Sequence, residues 1–152
     1  KYGHRVKDRT ISLALLRSPM YPDRTADRGD HVFSYALFPH AGAVTASPAA
    51  ELAAHLNAPV LVADAEPAAP PFTVVGEGVR LDVVKVAEDG DGLVLRLHEW
   101  RGKQATVSVW TPLTGADVVE TDLLERALDG GSSSLDALRF GPFEIRTFRL
   151  QR

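Results

Sequence analysis

Two runs of alternating side chains, joined by a short acidic stretch containing glycine, constrain this chain more than any other feature. Val79, Leu81 and Val83 alternate with Arg80, Asp82 and Val84, and Leu93, Leu95 and Leu97 alternate with Val94, Arg96 and His98. A period of two sends successive side chains to opposite faces of an extended strand, so each run reads as a half-buried strand. Asp89-Gly90-Asp91-Gly92 lies between them. Asp and Gly accept the backbone of a tight turn, which makes the two runs a hairpin.

The pattern recurs along the chain. Ile11, Leu13 and Leu15 alternate with Ser12, Ala14 and Leu16, predicting a strand over about Thr10 to Leu16 after a turn at Tyr2 to Lys7. Pro19 and Pro22 stop that run, because proline fixes φ and removes a ladder donor. A loop is expected from Arg17 to Asp30, then a second strand from His31 to Phe38, closed by Pro39. Thr106 to Trp110 and Phe143 to Leu150 read as further strands, and Gly130 to Ser134 as a flexible loop tip. Val118 to Leu128 is open to two readings: Val118-Val119 favour strand, while Leu123, Leu124, Arg126, Ala127 and Leu128 suit a helical turn.

One helix is expected, near 47–57. Ser47 can cap it, Pro48 suits its first position, Glu51 sits close to the capping-box position, and Pro59 ends it. Val60-Leu61-Val62 reads as a short strand. Pro67, Pro70 and Pro71 among alanines mark a linker. The organisation expected is residues 1–64, a linker at 65–72, and residues 73–152. Short strands, frequent turns and a single helix make the chain all-β, an antiparallel β-sandwich.

Composition narrows the function. A net charge of −3 in 152 residues leaves no electrostatic footprint for nucleic acid. No segment approaches the roughly 20 apolar residues of a membrane span. The basic start leads into alternation rather than a signal-peptide apolar core. The chain has no cysteine, which suits a reducing compartment, and a cytoplasmic location is expected. Lys1 stands where an initiator methionine would, so we expect residues to have been removed ahead of it.

No catalytic constellation stands out. His4, His31, His40, His55 and His98 include no i, i+4 pair, and zinc needs three or four converging ligands. Asp23, Asp27, Asp30, Glu88, Asp89 and Asp91 lie in turns. Arg28-Gly29-Asp30 matches a three-residue adhesion motif, and Asp89-Gly90-Asp91-Gly92 the opening of a calcium loop, but a loop and a hairpin turn explain them better. Trp100, Trp110, Tyr21, Tyr35 and Phe38 could stack on a sugar, although aromatics in sandwich strands are more often core.

A resemblance adds to this. Leu16-Arg17-Ser18-Pro19, Tyr21-Pro22-Asp23, Ala26-Asp27-Arg28-Gly29, His31, Phe33, Tyr35-Ala36-Leu37 and Pro39-His40 resemble a segment in the C-terminal β-region of family 38 glycoside hydrolases, the α-mannosidases. Lys1-Tyr2-Gly3, the stretch from Val84 to Glu99, and Pro142 to Leu150 resemble further family segments in the same order. The resemblance implies that residues 1–64 end a large sandwich, that residues 73–152 form a smaller one, and that Val118 to Leu128 is β. It implies a parent enzyme that hydrolyses terminal α-mannosides with retention, using zinc and an aspartate nucleophile in a catalytic domain N-terminal to this region. No catalytic residue and no metal ligand carries over, so no cofactor is expected in this chain and none of its own activity. Arg28 and Asp27 are the candidate substrate-binding residues, because the family places a similar Asp-Arg-Gly in a loop facing the catalytic domain. A guanidinium offers a fixed fork of donors to sugar hydroxyls; the competing role for Arg28 is to pair with Asp27 or Asp23 and hold the loop. The partners expected are the catalytic domain, an α-mannoside and a second copy of the chain, since a sandwich lacking strands exposes an edge. Neither nucleic acid nor membrane is expected. The alternative function is a stand-alone carbohydrate-binding or interaction module.

Overall fold

The structure, a computed structural model, describes residues 3–58, 62, 64 and 70–151. The chain separates into two compact units, Lys1–Pro39 and His40–Arg152.

In the first unit, β1 (Gly3–Lys7) and β2 (Thr10–Ala14) form an antiparallel hairpin with Lys7 opposite Thr10. Asp8 and Arg9 turn it, both at positive φ, as a two-residue loop between right-twisted strands requires. Gly3 to Lys7 is therefore a strand, not the expected turn: its backbone finds a partner in β2. The expected strand at His31 to Phe38 is absent, and these residues belong to no sheet. Alternation alone cannot make a ladder; the backbone groups need a neighbouring strand, and among the described residues none lies beside this segment. No described residue of this unit is buried, and only Pro19 and Ala26 are half-buried.

The second unit begins with a 3-10 turn at Val44–Ala46 and helix α1 (Ala49–Asn57). The cap differs from the expectation. Pro48 holds the cap position without a side-chain bond, while the Ser47 hydroxyl donates to the Val44 carbonyl at 2.8 Å and accepts from Ala49 N–H at 3.3 Å. The expected strand at 60–62 lies outside the described residues apart from Val62, as does most of the expected linker.

Eight strands follow. They are β3 (Thr73–Val75), β4 (Val79–Val86), β5 (Leu93–Glu99), β6 (Ala105–Trp110), β7 (Asp117–Thr121), β8 (Ala127–Ser133), β9 (Leu138–Phe140) and β10 (Ile145–Gln151). A five-stranded antiparallel sheet, β4-β5-β10-β7-β8, faces a three-stranded one, β3-β6-β9. The core lies between them: Leu95, Leu97, Phe148 and Leu150 meet Phe72, Val107, Val109, Leu138 and Phe140. This is a β-sandwich, as the sequence predicts, with one short helix. The last of the described strands, β10, sits at the centre of the larger sheet.

The Asp89–Gly92 stretch is the β4–β5 turn, with Ala87 N–H donating to Gly92 O at 3.0 Å. Gly92 is required there: it has φ +96°, and a Cβ would stand 2.2 Å from the Leu150 carbonyl oxygen. In β4 a bulge at Asp82 breaks the simple alternation. Leu81 opposes Leu97, but Val83 opposes Arg96, so Val83 leaves the face shared by Val79 and Leu81. Val118 to Leu128 is strand, turn, strand. The Asp122 carboxylate accepts from Leu124 N–H at 2.8 Å and Arg126 N–H at 3.0 Å, closing the turn into β8. Gly130 to Ser133 lies within β8 rather than at a loop tip, because β7 supplies a partner, with Val118 opposite Ser133.

Candidate functional site

The Arg28 loop is shaped by local hydrogen bonds. The Asp23 carboxylate accepts from Thr25 N–H at 2.8 Å and from its hydroxyl at 2.7 Å, and these two bonds hold the carboxyl below its ordinary pKa. Arg28 N–H donates to the Thr25 carbonyl at 3.2 Å. Asp27 adopts φ 58°, its carboxylate accepts from Ser18 N–H at 3.1 Å, and its carbonyl meets His31 Nε2 at 3.0 Å. His31 in turn stacks on Phe33 at 5.9 Å. Asp27 thus ties the start of the loop to its end. Among the described residues the Arg28 guanidinium forms no ion pair with Asp23 or Asp27, so the structure does not bring those charges together.

In the second unit the charges are used inside the fold. Glu99 is fully buried at the end of β5. Its carboxylate accepts backbone N–H bonds from Arg101 at 2.7 Å, Gly102 at 2.8 Å, Lys103 at 3.2 Å and Phe143 at 2.9 Å. Burial pushes its pKa up, but the four donors outweigh that and hold it below the ordinary glutamate value. Glu99 therefore pins the 101–103 turn to the turn before β10. Sequence reading missed this role. The signal was a carboxylate ending a buried strand just before Trp-Arg-Gly, which is too common a pattern to be specific.

Other charges close the strand ends. The Arg146 guanidinium pairs with Glu120, with Nε to Oε1 at 2.7 Å, and lies 5.0 Å from the Phe148 ring centre. Arg149 reaches the Asp89 carboxylate at 2.8 Å, so the calcium-like turn carries an arginine of this chain instead. His98 bonds Asp82, which also accepts from Arg80 at 2.6 Å, and this fixes the bulge. His98 is half-buried in its sheet, and His4, His31, His40 and His55 are exposed. Among the described residues no three His, Asp or Glu side chains converge as a metal site.

The aromatic residues differ from the core expectation. Phe72, Phe140 and Phe148 fill the sandwich, whereas Trp110 is 54% exposed and Trp100 lies half-buried with Arg101 5.2 Å from its ring centre. Tyr21, Tyr35 and Phe38 are exposed. Among the described residues no helix is long and apolar enough to cross a membrane.

A two-sheet core with β10 at the centre of the larger sheet defines a β-sandwich domain. Residues 78–148 match the family described as the glycosyl hydrolases family 38 C-terminal beta sandwich domain. The chain belongs to the C-terminal β-region of the family 38 glycoside hydrolases. It is 38% identical over 162 residues to Alpha-mannosidase 2C1 of Mus musculus, spanning 99% of this chain and 16% of that protein. It is 30% identical over 167 residues to Alpha-mannosidase G of Dictyostelium discoideum, spanning 98% of this chain and 15% of that protein. Alpha-mannosidase of Saccharomyces cerevisiae is 28% identical over 179 residues, with 99% and 16% covered. The chain thus spans about one-sixth of the length of the curated relatives it matches.

Proposed function

We propose that this chain is the C-terminal β-region of an α-mannosidase that hydrolyses terminal α-mannosides, and that it supports a catalytic domain held elsewhere in the longer protein. The observation that carries this reading is similarity along 99% of the chain to proteins named α-mannosidases. The exposed apolar side chains of the first unit support it further. Val6, Ile11, Tyr35 and Leu37 stand 65–82% exposed, which suits a segment completed by other parts of a larger protein. The zinc and the aspartate nucleophile would lie in that catalytic domain. No described residue cluster here fits a metal, and no step is assigned to this chain's carboxylates. A cytoplasmic location belongs to the same proposal, and the absence of cysteine is compatible with it.

Within this reading Arg28 binds a substrate hydroxyl, and Asp27 sets the loop that presents it. The Arg28 guanidinium, which forms no ion pair among the described residues, and the bond from Ser18 to Asp27 support that division of roles. A charge-assisted hydrogen bond contributes about 1.5–3 kcal/mol, so Arg28→Ala in the full-length enzyme should lower kcat/KM roughly ten- to a hundred-fold. Melting temperature should hold, and Arg28→Lys should restore only part of the loss, because lysine lacks the planar fork. Equal activity in all three proteins removes Arg28 from the site. A large fall in melting temperature with Arg28→Ala assigns it to loop structure instead.

A further inference from the structure

We propose that the second unit carries a saccharide-binding groove built around Trp110 and Asp136. Its position follows from the topology. β8 pairs with β7 in the larger sheet, the Leu135 carbonyl then accepts from Val109 N–H of β6 at 2.8 Å, and β9 pairs with β6 in the smaller sheet. Residues 133–136 are thus the corner where the chain crosses between sheets. A groove of about 540 Å³ opens beside that corner, with Val109 and Leu135 among its apolar lining.

Trp110 and Ser108 share the outer face of β6, since Val107 and Val109, which alternate with them, point into the core. Trp110 lines the groove and is 54% exposed, and an indole is a wide flat surface matched to the C–H face of a pyranose. Around it three hydroxyl oxygens are placed by the backbone. Ser108 Oγ accepts from Ala137 N–H at 3.1 Å, Ser134 Oγ from Asp136 N–H at 3.1 Å, and Thr111 Oγ1 from Leu113 N–H at 3.2 Å. Each oxygen is located by its acceptor bond and keeps its own O–H to donate. Ala137 holds φ 52°, a left-handed conformation unusual for alanine, and the bond to Ser108 secures it. The Asp136 carboxylate is exposed and, among the described residues, forms no ion pair, so it is free to accept from sugar hydroxyls.

A pyranose presents what this set answers: an apolar face, and hydroxyls that both donate and accept. Among the described residues no lysine or arginine lines the groove and Asp136 is the one charged group, which disfavours phosphate or nucleic acid. Neither of the two turn motifs singled out in the sequence contributes to it. That the saccharide is a mannoside rests on the function proposed above; the groove's chemistry does not.

The test uses the 152-residue chain with Trp100→Phe, so that Trp110 is the sole tryptophan and is excited selectively over the three tyrosines. It is titrated with α-linked mannobiose and mannotriose, and with cello- and chito-oligosaccharides of equal length. A saturable blue shift with the mannosides is expected. By calorimetry Trp110→Ala should abolish binding and Asp136→Asn weaken it roughly tenfold, both with unchanged melting temperature. Binding only of a non-mannose saccharide supports the groove and overturns the mannoside assignment, while the Arg28 kinetics judge the enzyme reading separately. No response to any saccharide overturns the proposal. So does unaltered saccharide affinity in Trp110→Ala, and a fall in the longer enzyme's stability in that variant would then assign the groove to a protein contact.

Discussion

Phe148 and Phe33 both stand in alternating runs, yet Phe148 is fully buried and Phe33 is 43% exposed. The difference lies in what each run meets. β10, which carries Phe148, has β5 on one side and β7 on the other, and a second sheet covers its inner face. The run holding Phe33 has no partner strand among the described residues, and its unit buries no described side chain. A strand pattern is thus a statement about which face would be covered, and becomes a strand only where backbone partners and a facing layer exist. The second unit supplies both from its own sequence. The first unit holds its shape by a hairpin ladder and by the bonds that Asp23 and Asp27 accept, all of them local in the chain.

The sharpest way to break this comparison is to truncate the two phenylalanines. Phe148→Ala should destabilise the chain by about 3–5 kcal/mol, the loss of a core aromatic plus the cavity it leaves. Phe33→Ala should move stability by less than about 0.5 kcal/mol. Urea unfolding of both variants measures it, and comparable losses would mean that the first unit has a core of its own.

A smaller effect is expected at Glu99. Glu99→Gln keeps the shape but replaces a charged acceptor of four backbone N–H groups with an amide, and should destabilise by about 1–3 kcal/mol. Its depressed folded pKa sets the pH window. The contribution is fully present above the ordinary glutamate value of 4.5 and is lost as pH falls through the lower folded value. Wild-type stability measured from roughly pH 6 down to roughly pH 3 should fall more steeply than that of Glu99→Gln. Parallel curves would show that the carboxylate charge contributes nothing to holding the turns together.

A small change in stability is also expected from removing residues 1–39. With its core intact the second unit should melt within about 4 °C of the whole chain. Association should change more. The exposed Val6, Ile11, Met20, Tyr35 and Leu37 favour pairing between copies, so the whole chain should sediment as a dimer or larger species and the shortened one as a monomer. A monomeric whole chain at high concentration would break the link drawn between uncovered apolar surface and assembly.

Much of this protein was legible before folding. Period-two alternation around Asp89–Gly92 specified a hairpin, Pro48 and Pro59 bracketed the helix, and alternation with turn signals specified an all-β sandwich, because each depends on neighbours in the chain. The family was legible from residues 15–40, a stretch that forms neither helix nor strand. Only the tertiary structure decided that β10 lies at the centre of the larger sheet, that a bulge at Asp82 turns Val83 off the core face, and that Trp110 faces solvent while Phe148 does not. It also decided the company of Glu99, whose fourth donor, Phe143, lies 44 residues away. Such contacts join distant parts of the chain, and local periodicity carries no record of which distant segment will supply the partner.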